Sequence, residues 1–294
     1  MRIGNMPFRF NLRSHTMFDR LKRSADLVKV CATVLRQDTH LLVFPLISGL
    51  ASLMVVLCFA LPIFGLNAFD GLSENHAMAY STAFLFYVVQ YFVIFYFNVA
   101  LVGATMIRMD GGTPTVKDGL AMANGRLGSI LGYAVIAATV GVILRAIQER
   151  VGFLGRIIVG MLGVGWTVAT FLVVPVLVAR NTGPVQSIKD SAALLKQTWG
   201  ENVIGQAGMG LFFGLMSMAI VLGGVGLVAF SLYIGSAALA VLFVVCAIVL
   251  LLVSFLIQSA LSGIYSAALY RFASGASAGT GFDNSVLSSA FQPK

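Results

Sequence analysis

The chain has 294 residues, of which 59% are hydrophobic and only 10% are charged, and its mean hydropathy is +0.93. Soluble globular domains carry about 25% charged residues, so this composition excludes that class and indicates an integral membrane protein. The net charge of +8 is spread over separate segments without a recognised binding module, which argues against a nucleic-acid partner.

Long charge-free runs predict the membrane-spanning helices, since a span needs about 20 mostly apolar residues. The last run, 202–270, is too long for one helix. We divide it near Gly223, Gly224, Gly226 or Gly235, because glycines are the available chain breakers there. The six predicted spans are 41–65, 79–104, 127–146, 157–179, 203–224 and 236–258.

The distribution of basic residues predicts the orientation. All but three of the 19 Lys and Arg residues lie before the first span, in alternate connecting segments or after the sixth span. Basic segments stay on the cytoplasmic side, so we expect both termini in the cytoplasm and the protein in the bacterial inner (plasma) membrane. The exceptions, Arg145, Arg150 and Arg156, surround the loop between the third and fourth spans.

Three short segments repeat along the chain: LKRSADLVK (21–29), VKDGLAMAN (116–124) and IKDSAALLK (188–196). Each places apolar residues at steps of four, three and four, which forms one stripe on an α-helix. Such basic amphipathic helices lie along the membrane interface. The predicted interfacial helices are 18–35, 114–126 and 186–199. Since a membrane hairpin follows each one, the predicted fold is an all-α integral membrane protein of six transmembrane helices built as three repeats.

Three segments make up the predicted domain organisation. Residues 1–16 contain arginines throughout and lack the apolar core of a signal peptide, so we interpret them as a flexible basic extension. The six-helix membrane domain covers 17–272, and 273–294 form a cytoplasmic tail.

Both ends of the chain resemble a known family. MFDRLKRSADLVK…LRQDTHLLVFPLISGLASLMVVLCFALPIF (17–64) and GIYSAALYRFASG…FDNSVLSSAF (263–291) are similar to an uncharacterised bacterial family of integral membrane proteins, a domain of unknown function. More distantly, the repeat resembles the membrane domains attached to some glycerophosphodiester phosphodiesterases. The resemblance implies six helices in the inner membrane and implies no activity, because the phosphodiesterase barrel is absent.

Residues with catalytic chemistry are scattered. The three histidines, His15, His40 and His76, are far apart in sequence, and no Asp or Glu lies inside a predicted span. No metal-ligand spacing, nucleophile motif or phosphate-binding loop is present. We therefore predict no enzymatic activity, no cofactor and no metal.

Polar residues inside the second and sixth spans form a candidate polar strip: Tyr87, Gln90, Tyr91, Asn98, Gln258 and Tyr265. They can line a permeation route, or they can form hydrogen bonds between helices, worth about 0.6 kcal/mol each. Two GxxxG pairs, Gly128 with Gly132 and Gly210 with Gly214, favour close helix packing within the monomer or between two copies.

Two functions follow from these patterns. The first is a non-catalytic membrane protein that organises anionic lipid headgroups, a membrane-protein partner or a second copy of itself through a basic cytoplasmic face. Its predicted contact residues are Lys22, Arg23, Lys117, Lys189, Lys196 and Trp199. The second is a small-solute or ion transporter or channel along the polar strip. The first is favoured, because buried carboxylates and visibly interrupted spans, both typical of transporters, are missing from the sequence pattern.

Overall fold

The computed structural model describes residues 31–65 and 76–275, and all regular structure in these ranges is helical. Residues 31–37 are helical, and a 3-10 turn, Thr39–Leu42, precedes the first long helix. The helices that follow are α1 (Val43–Gly65), α2 (His76–Met109), α3 (Val116–Asn124), α4 (Leu127–Arg150), α5 (Phe153–Ala169), α6 (Val173–Arg180), α7 (Pro184–Tyr233) and α8 (Ala237–Ala273). The predicted N-terminal extension, Lys22, Arg23, most of 18–35 and most of the tail lie outside the described residues.

Six helical stretches are long and apolar enough to cross a membrane, which confirms the prediction of a multi-pass membrane protein. They are Thr39–Pro62, Ala77–Met109, Leu127–Arg150, Phe153–Arg180, Gly208–Tyr233 and Ala237–Arg271.

The turn between the last two spans lies later than the predicted end of the fifth span at residue 224. Gly223, Gly224 and Gly226 are all inside α7, and the chain turns only at Gly235, whose φ is +76°. Glycine adopts this left-handed conformation without the steric cost that a Cβ imposes. Of the four candidate glycines, Gly235 is therefore the break.

The fourth span is interrupted, although the sequence pattern showed no broken span. α5 ends at Ala169 and α6 begins at Val173. Pro175 is the third residue of α6, where its missing N–H is tolerated. In an unbroken helix the same proline would leave the carbonyl of Phe171 without its donor and collide with it, so the interruption lies where Pro175 requires it.

The predicted interfacial segments differ from one another. Residues 116–124 form the separate helix α3, whereas 186–199 are the first part of the 50-residue helix α7 and form no separate helix. Pro184 occupies the first position of α7, where its fixed φ favours helix initiation. Gly200 directly after position 199 and Lys196 in the preceding turn are end signals in the sequence, yet α7 continues through both of them.

A capping box begins α3. The Thr115 hydroxyl accepts a hydrogen bond from the Asp118 N–H, and the Asp118 carboxylate accepts from the Thr115 hydroxyl at 2.7 Å and the Thr115 N–H at 2.9 Å. These two bonds, the hydroxyl's first, hold the pKa of Asp118 below its ordinary value of 3.8. The box satisfies N–H groups that the first turn of a helix otherwise leaves unpaired.

The lowered pKa of Asp118 predicts how the start of α3 responds to acid. A carboxylate with a depressed folded pKa stabilises the fold fully above 3.8, and this contribution is lost as pH falls through the lower folded value. We expect the amides of 116–119 to exchange faster in Asp118→Asn than in the unmodified protein at pH 7. The difference should vanish as pH falls well below 3.8, and a constant difference down to pH 2 would contradict the capping role.

The buried core lies at one end of the bundle. It is formed by the C-terminal halves of α2 and α8, the helix α6 and the segment before α1, with Leu101, Leu177 and Ile264 among its fully buried side chains. In contrast, only 6% of the most apolar stretch of the fifth span is buried, and α7, which contains this span, packs mainly on α8. The hairpin of the last two spans therefore presents most of its apolar surface to the surrounding lipid.

Candidate functional site

The buried core adjoins a surface that we call the basic end, defined by Arg108, Arg126, Arg180 and Arg271 together with the helix ends around them. Three of these arginines form ion pairs there. The Arg108 Nε lies 2.9 Å from Asp38 Oδ2, Arg180 Nη1 lies 2.9 Å from Asp190 Oδ2, and Arg271 pairs with Asp110. The first contact is an ion pair without hydrogen-bond geometry, since Asp38 Oδ2 accepts no hydrogen bond from the residues that the structure describes. Each pair joins segments distant in sequence or adjacent helices, so these charges hold the basic end together.

Arg126, at the start of α4, satisfies the ends of two other helices. Its guanidinium donates to the carbonyls of Leu177 at 2.9 Å and Val178 at 2.5 Å in α6, and to the carbonyl of Met122 at 3.2 Å in α3. The last carbonyls of a helix lack partners within the helix and carry partial negative charge. The guanidinium of Arg126, in a segment predicted to be cytoplasmic, therefore binds the ends of helices within the protein.

Three lysines at the basic end differ from these arginines in their exposure and in their partners. Lys117, Lys189 and Lys196 are all exposed, and none forms an ion pair with the described residues. Lys117 and Lys189 occupy the same register of the repeated segments. The backbone of Trp199 belongs to α7, while its side chain lies outside the described residues, as do Lys22 and Arg23. Free positive charge at the described basic end is thus carried by these three lysines and by Arg36, which is exposed in the segment before α1 and forms no ion pair with the described residues.

A cavity of about 590 Å³ opens between α1, α2 and α8. Its walls are mostly apolar, and its polar lining residues are Ser48, Ser52, Gln90, Asn98 and Ser259. Rim residues Leu50, Leu53, Leu252 and Phe255 are each more than half exposed. Because all three helices are long and apolar enough to cross a membrane, we expect this rim to face the acyl chains of the bilayer.

The candidate polar strip is divided between two surfaces. Gln90 and Asn98 line the cavity, whereas Tyr87 and Tyr91 point toward α4, where the Tyr87 hydroxyl accepts a 2.9 Å bond from Arg145. A Cβ added at Gly141 of α4 would lie 3.6 Å from the Tyr91 hydroxyl.

The residues of the sixth span do not join them. Gln258 is absent from the cavity lining, although its neighbour Ser259 is present. Tyr265 is buried beside Phe171, with ring centroids 6.2 Å apart. The cavity that holds Gln90 and Asn98 is therefore bordered on α8 by a serine and apolar side chains.

The four predicted packing glycines have different surroundings. A Cβ added at Gly132 would lie 2.8 Å from the ring of Pro184, so α4 and α7 approach closely there. At Gly128, Gly210 and Gly214 an added Cβ would meet nothing within 4 Å among the described residues. The motif alone does not distinguish these two situations.

The interruption of the fourth span carries a polar contact that sequence reasoning missed. The Ser191 hydroxyl of α7 donates to the carbonyl of Ala169 at 2.7 Å and accepts from the N–H of Leu172 at 3.1 Å. Ser191 and Leu172 are fully buried. One side chain thus satisfies a carbonyl and an N–H beside the break. The available signal was a serine among the apolar residues of an amphipathic segment.

Among the described residues no cluster of three or more His, Cys, Asp or Glu could hold a metal ion.

The sequence profile of DUF6159, a family of unknown function, matches residues 77–282 of the chain, which is more than half of it. A search of curated proteins found no match.

Proposed function

This chain belongs to DUF6159, a family of unknown function, and we propose a function from the geometry of the basic end. We propose that the chain is a non-catalytic multi-pass membrane protein that binds anionic lipid headgroups at this end. The proposal includes an inner-membrane location with both termini in the cytoplasm, so that the basic end faces the anionic cytoplasmic leaflet. It also includes the three-repeat organisation of interfacial segments. The distant resemblance to membrane domains of glycerophosphodiester phosphodiesterases suits a lipid-facing role.

The observation that supports this proposal is a difference in partners: the arginines that define the basic end contact fixed groups of the protein, whereas its lysines are exposed. Arg108, Arg180 and Arg271 are paired with aspartates, and the guanidinium of Arg126 donates its hydrogen bonds to helix carbonyls. A guanidinium presents a rigid fork of donors suited to such fixed partners, whereas the lysine ammonium is a mobile point charge. The exposed Lys117, Lys189 and Lys196 are therefore the groups available to phosphate headgroups, each worth about 1 kcal/mol near an anionic surface.

The test uses Trp199 as a reporter three residues from Lys196. With Trp166→Phe removing the other tryptophan, fluorescence quenching by brominated phosphatidylglycerol is compared with quenching by brominated phosphatidylcholine in mixed bilayers. We expect a preference for the anionic lipid that falls about fivefold for each lysine changed to Gln, since about 1 kcal/mol is lost per charge. High salt should reduce it as well.

Charge-conserving Lys→Arg replacements at 117, 189 and 196 provide the matched control and should keep the preference. Equal quenching by both lipids in the unmodified protein would contradict the proposal. So would an anionic preference that survives the triple Gln replacement.

A second candidate function, permeation of a small solute or ion, is favoured by the break in the fourth span, because interrupted spans are typical of transporter binding sites. Its route would follow Gln90, Asn98 and Ser259, the polar residues of α2 and α8 that line the cavity. Solute flux in proteoliposomes that is lost on changing these three to Leu, and unaffected by the lysine changes, would support permeation over headgroup binding.

A further inference from the structure

We propose that the cavity between α1, α2 and α8 binds one neutral membrane lipid with a hydroxyl or N–H donor, and that Gln90 accepts the hydrogen bond from this donor. This site is separate from the proposed headgroup contacts of the lysines.

The shape and position of the cavity indicate a lipid. Its volume of about 590 Å³ lies within the range of about 300–1,000 Å³ that is typical of small-molecule sites. The exposed rim residues Leu50, Leu53, Leu252 and Phe255 surround a mouth at the level of the acyl chains. Membrane lipids are therefore the molecules present at the mouth in the highest concentration.

The lining determines the class of lipid. None of the residues that line the cavity is charged, and a charged headgroup placed there would lose its hydration without a counterion. A neutral lipid loses far less. Phosphate-bearing headgroups belong instead at the basic end, near the exposed lysines.

Gln90 supplies the polar recognition. Its side chain lines the cavity, and its Oε1 is buried and accepts no hydrogen bond from the described residues. A rotation of the amide group must therefore turn Oε1 toward the ligand when the ligand binds. An unpaired buried acceptor costs free energy that a ligand donor recovers. Asn98 lies two helical turns closer to the basic end on the same wall of the cavity, about 12 Å along α2, so a second polar group of the ligand can contact it.

The probe is a photoactivatable hexadecanol, added to the full chain in nanodiscs and mapped by mass spectrometry, with unlabelled competitors. We expect saturable labelling of α1 and α8 at the cavity. Unlabelled hexadecanol should compete about fivefold better than hexadecane of the same chain length, the difference that one net hydrogen bond makes.

Two variants separate the polar and apolar parts of the site. Gln90→Leu should make hexadecanol and hexadecane compete equally while labelling persists. Gly49→Leu should reduce labelling by both, because Gly49 lines the cavity and a Cβ there meets nothing within 4 Å, so the larger side chain fills the open space.

Matched controls are Gln258→Leu, the same change outside the cavity lining, and Gly160→Leu, at another span glycine with open surroundings. Both should behave like the unmodified protein, as should the lysine variants. The proposal is overturned if labelling does not saturate, if Gln258→Leu acts like Gln90→Leu, if hexadecyl methyl ether competes as well as hexadecanol, or if a second copy of the chain cross-links into the cavity.

Discussion

Gly119→Ala is expected to destabilise the protein by at least about 2 kcal/mol, because a side chain at this position collides with two neighbouring helices. A Cβ there would lie 2.5 Å from the ring of Phe44 and 2.6 Å from the carbonyl oxygen of Ala100. The carbonyl belongs to the backbone of α2 and cannot rotate away. The short helix α3 must therefore move off α1 and α2.

The matched control is Gly128→Ala, at a helical glycine whose added Cβ meets nothing within 4 Å in the described part of the chain. Alanine is favoured over glycine in a helix interior by about 0.5–1 kcal/mol, so this change should be neutral or stabilising. The two variants are compared by their unfolding midpoints in mixed micelles with increasing SDS. If both change stability in the same direction, the close approach of α3 is not a determinant of the fold.

The six spans follow from composition alone, because the hydrocarbon core selects about 20 apolar residues whatever their partners. Contacts between spans depend on helix rotation, which composition does not specify. Gln258 and Ser259 are adjacent in sequence yet differ by about 100° around α8, and only Ser259 lines the cavity with Gln90. The polar strip of α2 was divided for the same reason.

The glycine contacts show a similar limit. Gly210 and Gly214 satisfy the GxxxG spacing but have open surroundings, whereas Gly119, outside any such motif, is in the tightest contact with backbone. In the repeated segments Gly119 and Ser191 occupy the same register, and both are buried. A small residue at this register allows the segment to approach a neighbouring backbone, a requirement that an apolar stripe pattern does not express.

The break of the fourth span shows how a local signal depends on a distant partner. Pro175 lies near the end of the predicted fourth span, where a proline is compatible with a tolerated kink in a continuous helix. The structure instead separates α5 from α6. The break is tolerated within a span because the Ser191 hydroxyl, on another helix, forms hydrogen bonds with the Ala169 carbonyl and the Leu172 N–H.

Ser191→Ala is therefore expected to destabilise the protein by about 2–4 kcal/mol, since it leaves the part-buried Ala169 carbonyl and the buried Leu172 N–H without this partner at about 1–3 kcal/mol each. The matched control is Ser187→Ala, one turn earlier on α7 and equally buried. The Ser187 hydroxyl donates to the Gly183 carbonyl, which also accepts from the Ser187 N–H, and it lies 2.9 Å from the Thr182 hydroxyl. Thr182 is only half-buried, so water can replace that second contact. Loss of the Ser187 hydroxyl leaves the Gly183 carbonyl paired and should cost about 1 kcal/mol or less.

A double-mutant cycle with Pro175→Ala tests whether Ser191 acts through the break. Alanine at 175 restores an N–H that can donate to the Phe171 carbonyl, so the chain can continue as one helix and pair Ala169 and Leu172 internally. The cost of Ser191→Ala, measured by SDS unfolding, should then fall by at least about 1 kcal/mol in the Pro175→Ala background. Equal costs in both backgrounds would show that Ser191 stabilises α7 packing independently of the interrupted span.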